Sequence, residues 1–202
     1  MLRQVAFVES LGVKKGPSAM PRGGTWIQRW RVPLGFVCAA LFILFARPRP
    51  ITLVAGSAVS LVGLLLRAWG SGHLRKNDAL ATTGPYAYTR NPLYLGSFIL
   101  GLGFTIGSGR WWLGILFAAL FLGIYLPVMR VESATLAQLF GESFQRYARE
   151  VPLFLPRSTP YRTEQPSVGF DRGLYLRYRE YRAALGLLIA WGLLVFKAYY
   201  LK

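Results

Sequence analysis

The chain has 202 residues, 53% of them hydrophobic and 16% charged, with a mean hydropathy of +0.36; soluble domains carry about a quarter charged residues, so the composition points to the membrane. Its 24 Lys and Arg against 8 acids give a net charge of +16, but the cations stand between apolar blocks, not along one amphipathic face, which fits a protein among anionic lipids and no nucleic-acid partner. One cysteine, Cys38, and one histidine, His73, exclude an internal disulfide and a metal site built from a Cys or His cluster.

Residues 1–25 are basic and rich in Gly, Pro and Ser, with no apolar h-region, so the first apolar run reads as a retained anchor behind a basic tail. A spanning helix takes roughly 17–25 mostly apolar residues. Trp26–Ala46 qualifies first, with Trp26 and Trp30 suited to the interface. Ile51–Trp69 follows, with Arg67 near its end and able to snorkel. Tyr94–Gly109 is the shortest and leaves a re-entrant or tilted insertion open. Trp111–Met129 opens on a tryptophan pair, and Ala183–Leu201 closes on Tyr199 and Tyr200. These stretches predict an all-α integral membrane bundle of about five transmembrane helices.

The connections alternate in charge. Segments 1–31, 67–90 and 130–182 hold six, four and nine Lys or Arg, whereas the intervening positions are Arg47, Arg49, Arg110, Lys197 and Lys202. The positive-inside rule therefore places the amino terminus and both large polar segments in the cytoplasm, as in a multi-pass protein of a bacterial inner membrane. The polar chemistry of 67–96 and of the segment after Met129 then falls on one membrane face.

Two blocks carry that chemistry. In TTGPYAYTRNPLYLG, Thr82 to Gly96, Gly84-Pro85 is a turn signal. Asn91 is placed to cap a helix whose first position is Pro92, where the missing N–H costs nothing. Tyr86, Tyr88 and Tyr94 beside Arg90 are denser than an interfacial belt requires. The second block, RVESATLAQLFGESFQRYAREVP, starts where the fourth span ends. Leu136, Leu139 and Phe140 recur at helical spacing, so the helix continues out of the membrane, with Glu132 close to the bilayer surface. GLGFTIG, Gly101 to Gly107, lies inside a span and reads as small-residue helix packing, not a nucleotide loop. Arg172 to Arg182 sets Leu174, Tyr175, Tyr178 and Tyr181 on one face, as in a helix lying along the interface.

LATTGPYAYTRNPLYLG followed one span later by RVESATLAQLFGESFQRYAREVPLFLP resembles the isoprenylcysteine carboxyl methyltransferase and phospholipid methyltransferase family, over roughly Gly72 to Pro156. The resemblance divides the chain into a 1–25 tail, a 26–156 methyltransferase-like domain with its motif core at 72–156, and a 157–202 addition. It implies S-adenosyl-L-methionine as cofactor, held in a cytosolic pocket formed by segments 72–96 and 130–156. The acceptor it implies is a lipophilic small molecule or lipidated group drawn from the bilayer. Carried over residue by residue, the cofactor contacts are His73, Asp78, Ala79, Leu80, Ala81, Tyr86, Asn91, Pro92, Leu93, Tyr94 and Glu132, and the reacting centre adds Arg90 and Arg130 to Glu132. Three positions depart from the family pattern: the motif histidine is Asn91, the second glutamate is Ser133, and the substrate arginine falls on Val128, which moves its role to Arg130. Membrane reductases that use NADPH share a similar motif, and a non-catalytic protein of the same fold would also keep it.

Overall fold

The structure, a computed structural model, describes residues 37–38, 40–42, 44–74, 79–162 and 169–200. The 1–25 tail and most of the first expected span lie outside these residues. The described part of that span is helical and ends at Ala46, whose N–H donates to Phe42 O at 2.9 Å. All regular structure among the described residues is helical, and three helices are long and apolar enough to cross a membrane.

Helix α1 is Pro50–Ser71, with Pro50 at the first position as the rigid φ of proline favours. Helix α2 is the short apolar Pro92–Gly107, 16 residues, which at 1.5 Å per residue reaches about 24 Å against a hydrocarbon core of about 30 Å. The two pack backbone to backbone. A Cβ on Gly56 would stand 2.5 Å from the Gly103 carbonyl oxygen, and one on Gly63 would stand 2.6 Å from that of Gly96. Ser60, fully buried between them, donates its hydroxyl to Leu100 O at 3.1 Å. Lipid supplies no hydrophobic drive between helices, so close contact through small residues holds them together. The glycines of GLGFTIG belong to this packing as the sequence predicts: Gly103 and Gly107 face α1 or Trp191, and Gly101 faces Phe117.

Helix α3, Trp111–Glu150, is 40 residues long and carries the fourth span onward past the membrane, as the Leu136/Phe140 spacing predicts. It contains Pro127 and is kinked at Gly141, where φ is 52°. Leu136 and Phe140 pack on a core cluster of Leu80, Phe144, Tyr147 and Val151, whereas Leu139 points outward and is 54% exposed.

The interfacial helix expected over 172–182 is in fact two elements. Helix α4 is the six-residue Arg172–Arg177, and α5, Tyr181–Tyr200, starts after a break at Arg179, whose φ is 55°. Helix α5 returns along α1 and α2: Trp191 stacks on Phe104 at 5.3 Å, Leu194 packs with Ala46 and Leu53, and Lys197 Nζ donates to Leu44 O at 2.8 Å. The carboxy-terminal helix thus meets the bundle through one face, at Trp191, Leu194 and Lys197.

Candidate functional site

At the end of the bundle opposite Arg47 and Ser108, the two sequence blocks meet. Gly84–Ala87 forms a single 3-10 turn with Pro85 at its second position, and Gly84 has φ +60°, a conformation that only glycine takes without strain. A Cβ there would also stand 2.7 Å from His73 Nε2. His73 is held in turn by Nδ1 against Trp69 O at 2.9 Å. A carbonyl can only accept, so this contact puts a proton on Nδ1, and in the neutral ring Nε2 is then an acceptor.

The chain from 86 to 91 is tied bond by bond to the segment that leaves α3. Tyr147 Oη donates to Tyr86 O at 2.7 Å, Arg90 N–H to Pro152 O at 3.0 Å, and the Thr89 hydroxyl to Phe154 O at 2.8 Å. In return, Arg157 N–H donates to Tyr88 O and Tyr161 N–H to Ala87 O, both at 2.9 Å. Buried backbone groups must find partners, and here each block supplies them for the other. Tyr147→Phe leaves the Tyr86 carbonyl buried without that donor and is expected to lower stability by about 1–3 kcal/mol, read as a fall in the thermal midpoint in detergent. An unchanged midpoint would show that the bond is dispensable.

Asn91 departs from its expected cap role. Its side chain makes no cap bond; Nδ2 donates instead to Leu153 O at 2.9 Å, because the chain leaving α3 lies across the helix start and presents a part-buried carbonyl there. Pro92 does occupy the first helical position and is buried.

The other expected site residues separate into two groups. Tyr86 is buried in the turn; burial first, then Tyr147, Glu132, Tyr178 and Glu180, push its phenol above the usual range. Glu132 is thus within electrostatic reach of Tyr86, although Glu132 itself is exposed on α3. Arg90 lies over the Phe144 ring, 6.0 Å from its centre, and its Nε is buried with no hydrogen-bond partner among the described residues. Burial lowers the Arg90 pKa, against a raising contribution from Tyr147. Tyr94 packs on Tyr125 at 5.4 Å, at the edge of an aromatic cluster with Phe121, Phe98 and Phe154.

Of the remaining expected residues, Leu80 adjoins this group through Phe144 and Tyr147. Leu80 is buried against Phe144, Tyr147 and Val151, Leu93 packs on Gly70 of α1, and Arg130 is exposed on α3. Ala79 is exposed and Ala81 half-buried in the approach to the turn, and Asp78 lies outside the described residues. Two open cavities of about 330 and 340 Å³ lie to one side, between the core helices and the carboxy-terminal segment. None of the expected site residues lines them.

Sequence reasoning missed Thr89, Tyr147 and the 152–154 backbone as members of the joint. Nothing marks Thr89 or Tyr147 locally; the Pro152 that follows the helix was the available signal that the chain turns back there. It also missed Glu180, whose two oxygens stand 2.9 and 2.7 Å from one Arg67 nitrogen.

Residues 51–143 match the phospholipid methyltransferase family. The chain is similar to the cobalt-zinc-cadmium resistance protein CzcN of Cupriavidus metallidurans, 37% identical over 146 residues, which cover 67% of this chain and 65% of that protein. It is also similar to the nickel-cobalt-cadmium resistance protein NccN of Alcaligenes xylosoxydans xylosoxydans, 34% identical over 144 residues, 67% of this chain and 66% of that one. The protein-S-isoprenylcysteine O-methyltransferase of Schizosaccharomyces pombe is 35% identical over 81 residues, 40% of this chain and 34% of the yeast protein. The chain therefore spans just under two thirds of the length of the two resistance proteins. No solved structure matches.

Proposed function

We propose that the chain, whose residues 51–143 match the phospholipid methyltransferase family, is an integral membrane methyltransferase that uses S-adenosyl-L-methionine to methylate a lipophilic acceptor at the cytosolic membrane face. The observation that carries this reading is the interlock of 86–91 with 147–161 at one end of the bundle, with Arg90, Tyr86, His73 and Glu132 around it. The excess of Lys and Arg in the segments at that end supports a cytoplasmic face for it.

The side chains present suit such a cofactor. The Arg90 Nε, buried and without a hydrogen-bond partner among the described residues, matches a carboxylate, and the Glu132 carboxylate matches an amino group. His73 Nε2 offers a lone pair beside the Gly84 turn. When bound, the cofactor supplies a methyl group on a sulfonium, open to in-line displacement. The protein's contribution is orientation and exclusion of water. Arg90 and Glu132 would fix the two ends of an amino-acid moiety, and the buried Pro85–Ala87 turn and the Tyr94–Tyr125 pair would wall the site.

Glu132→Gln is expected to weaken S-adenosylmethionine binding ten-fold or more, about 1.5–3 kcal/mol for a charge-assisted bond, measured by calorimetry in detergent. Equal affinity in the two proteins removes Glu132 from the site. A thermal-shift comparison separates the ligands, since binding raises stability by mass action: S-adenosylhomocysteine should stabilise the protein and NADPH should not. A second reading, a non-catalytic member of the fold, draws on Asn91, because the side chain at the motif histidine's position is used to hold Leu153. It requires that neither ligand stabilise the protein. Incubating membranes with radiolabelled S-adenosylmethionine identifies the acceptor. The metal-resistance names of the two bacterial relatives suggest a setting, and growth of a deletion strain on graded cobalt, zinc and cadmium tests it.

A further inference from the structure

The family match ends at residue 143, yet both cavities are closed on one side by residues beyond 169. The first lies between Arg67, Ser97, Leu100 and Phe104 of the core and Ala183, Gly186 and Leu187 of α5. The second lies between Ala68 and the 170–176 stretch. Between them sits the Arg67–Glu180 ion pair, with both carboxylate oxygens on one guanidinium nitrogen at 2.7 and 2.9 Å and the two side chains only 22% and 13% exposed. The second terminal nitrogen of Arg67 donates to Ser97 Oγ and, at 3.4 Å, to Leu93 O. One arginine thus joins α1, α2 and the carboxy-terminal segment.

Two further features show that the segment is held in place. Arg179, next to Glu180, has φ 55°, a backbone conformation that is strained for a non-glycine residue and persists only when its surroundings impose it. At its other end the segment lies on the motif core. Asp171 N–H donates to Gly72 O at 3.0 Å, and the Phe170 ring occupies the space that a Gly72 Cβ would need and lies 6.5 Å from the His73 ring. Tyr178 and Glu180 are also among the groups felt by the Tyr86 phenol. The 169–180 stretch is therefore pinned at both ends beside the Gly84 turn.

We propose that Arg67 and Glu180 are positioning residues that seat the 169–180 segment as a wall of the candidate site, so that the carboxy-terminal addition takes part in holding the cofactor. This rests on the methyltransferase reading. The pair suits the task because it is mostly buried and the two terminal nitrogens of Arg67 reach Glu180 on one side and Ser97 and Leu93 on the other, a fork that the single ammonium of a lysine does not reproduce. Helix α5 has its own anchors in Trp191 and Leu194, so loss of the pair should release the segment and leave the helix.

The test uses the full chain in lipid nanodiscs, with hydrogen–deuterium exchange and calorimetric binding of S-adenosylhomocysteine on the same samples. In Glu180→Gln, exchange should rise across 169–180 and stay as it was in α1, α2 and the second half of α5. A segment docked for only a tenth of the time would weaken S-adenosylhomocysteine by about ten-fold. Arg67→Lys should behave likewise, and the exchanged pair Arg67→Glu with Glu180→Arg should recover part of both losses. Unchanged exchange in 169–180 overturns the seating role, and a rise throughout α1 and α2 makes the pair a general stabiliser instead. Raised exchange with wild-type affinity removes the segment from the site while the methyltransferase reading stands. If the unmodified protein does not bind S-adenosylhomocysteine, that reading fails, and the site role of the segment fails with it.

Discussion

Gly63→Leu is expected to leave no folded protein in detergent, or to cost about 3 kcal/mol or more, the upper range for overpacking a close interface. The side chain would enter space held by the backbone of α2, at Gly96 O and the Leu100 amide, and backbone cannot rotate aside as a side chain can. Separating the helices would also break the Ser60 bond to Leu100 O and move Arg67 away from Ser97. The control is Gly192→Ala on α5, where an added Cβ meets nothing within 4 Å. That change removes a flexible residue from a helix and should leave stability as it is or raise it by up to about 1 kcal/mol. Fluorescence-detected size exclusion and thermal unfolding read both. A Gly63→Leu protein with the parent's midpoint would mean that α1 and α2 are not in this contact.

Arg90→Gln is expected to lower methyl-transfer kcat/KM by about 100-fold or more, the scale for removing one preorganised charged donor from a site, while changing stability by no more than about 1 kcal/mol. The asymmetry follows from the bonds. The backbone N–H of Arg90 holds Pro152 whatever the side chain is, and the buried Nε has no partner among the described residues to lose. Transfer of labelled methyl to membrane lipid gives the first number and the thermal midpoint the second. Full activity with a lowered midpoint would make Arg90 a packing residue over Phe144 and remove it from the chemistry.

The spans were legible because apolar length is a local property. Ile51–Trp69 became Pro50–Ser71, and Tyr94–Gly109 became Pro92–Gly107, shifted two residues because the helix begins at the proline itself. The meeting of the two motif blocks was legible too, since two helices separate them and an even number of crossings returns the chain to the same face. The carboxy-terminal helix was misread at one point. Its aromatic spacing runs smoothly through 178–181, and nothing in that spacing shows the break at Arg179.

What the sequence determined by itself is therefore an all-helical membrane chain whose polar blocks come to one end. Tertiary structure alone decided which atoms meet there: Tyr147 with the Tyr86 carbonyl, Asn91 with Leu153 instead of its own helix, and Arg67 with a glutamate 113 residues away. Those pairings depend on how each helix is rotated against its neighbour and where the connecting segments cross. Hydropathy and periodicity give the length and amphipathic face of a helix, and leave those choices to close packing and to the demand that buried polar groups find partners.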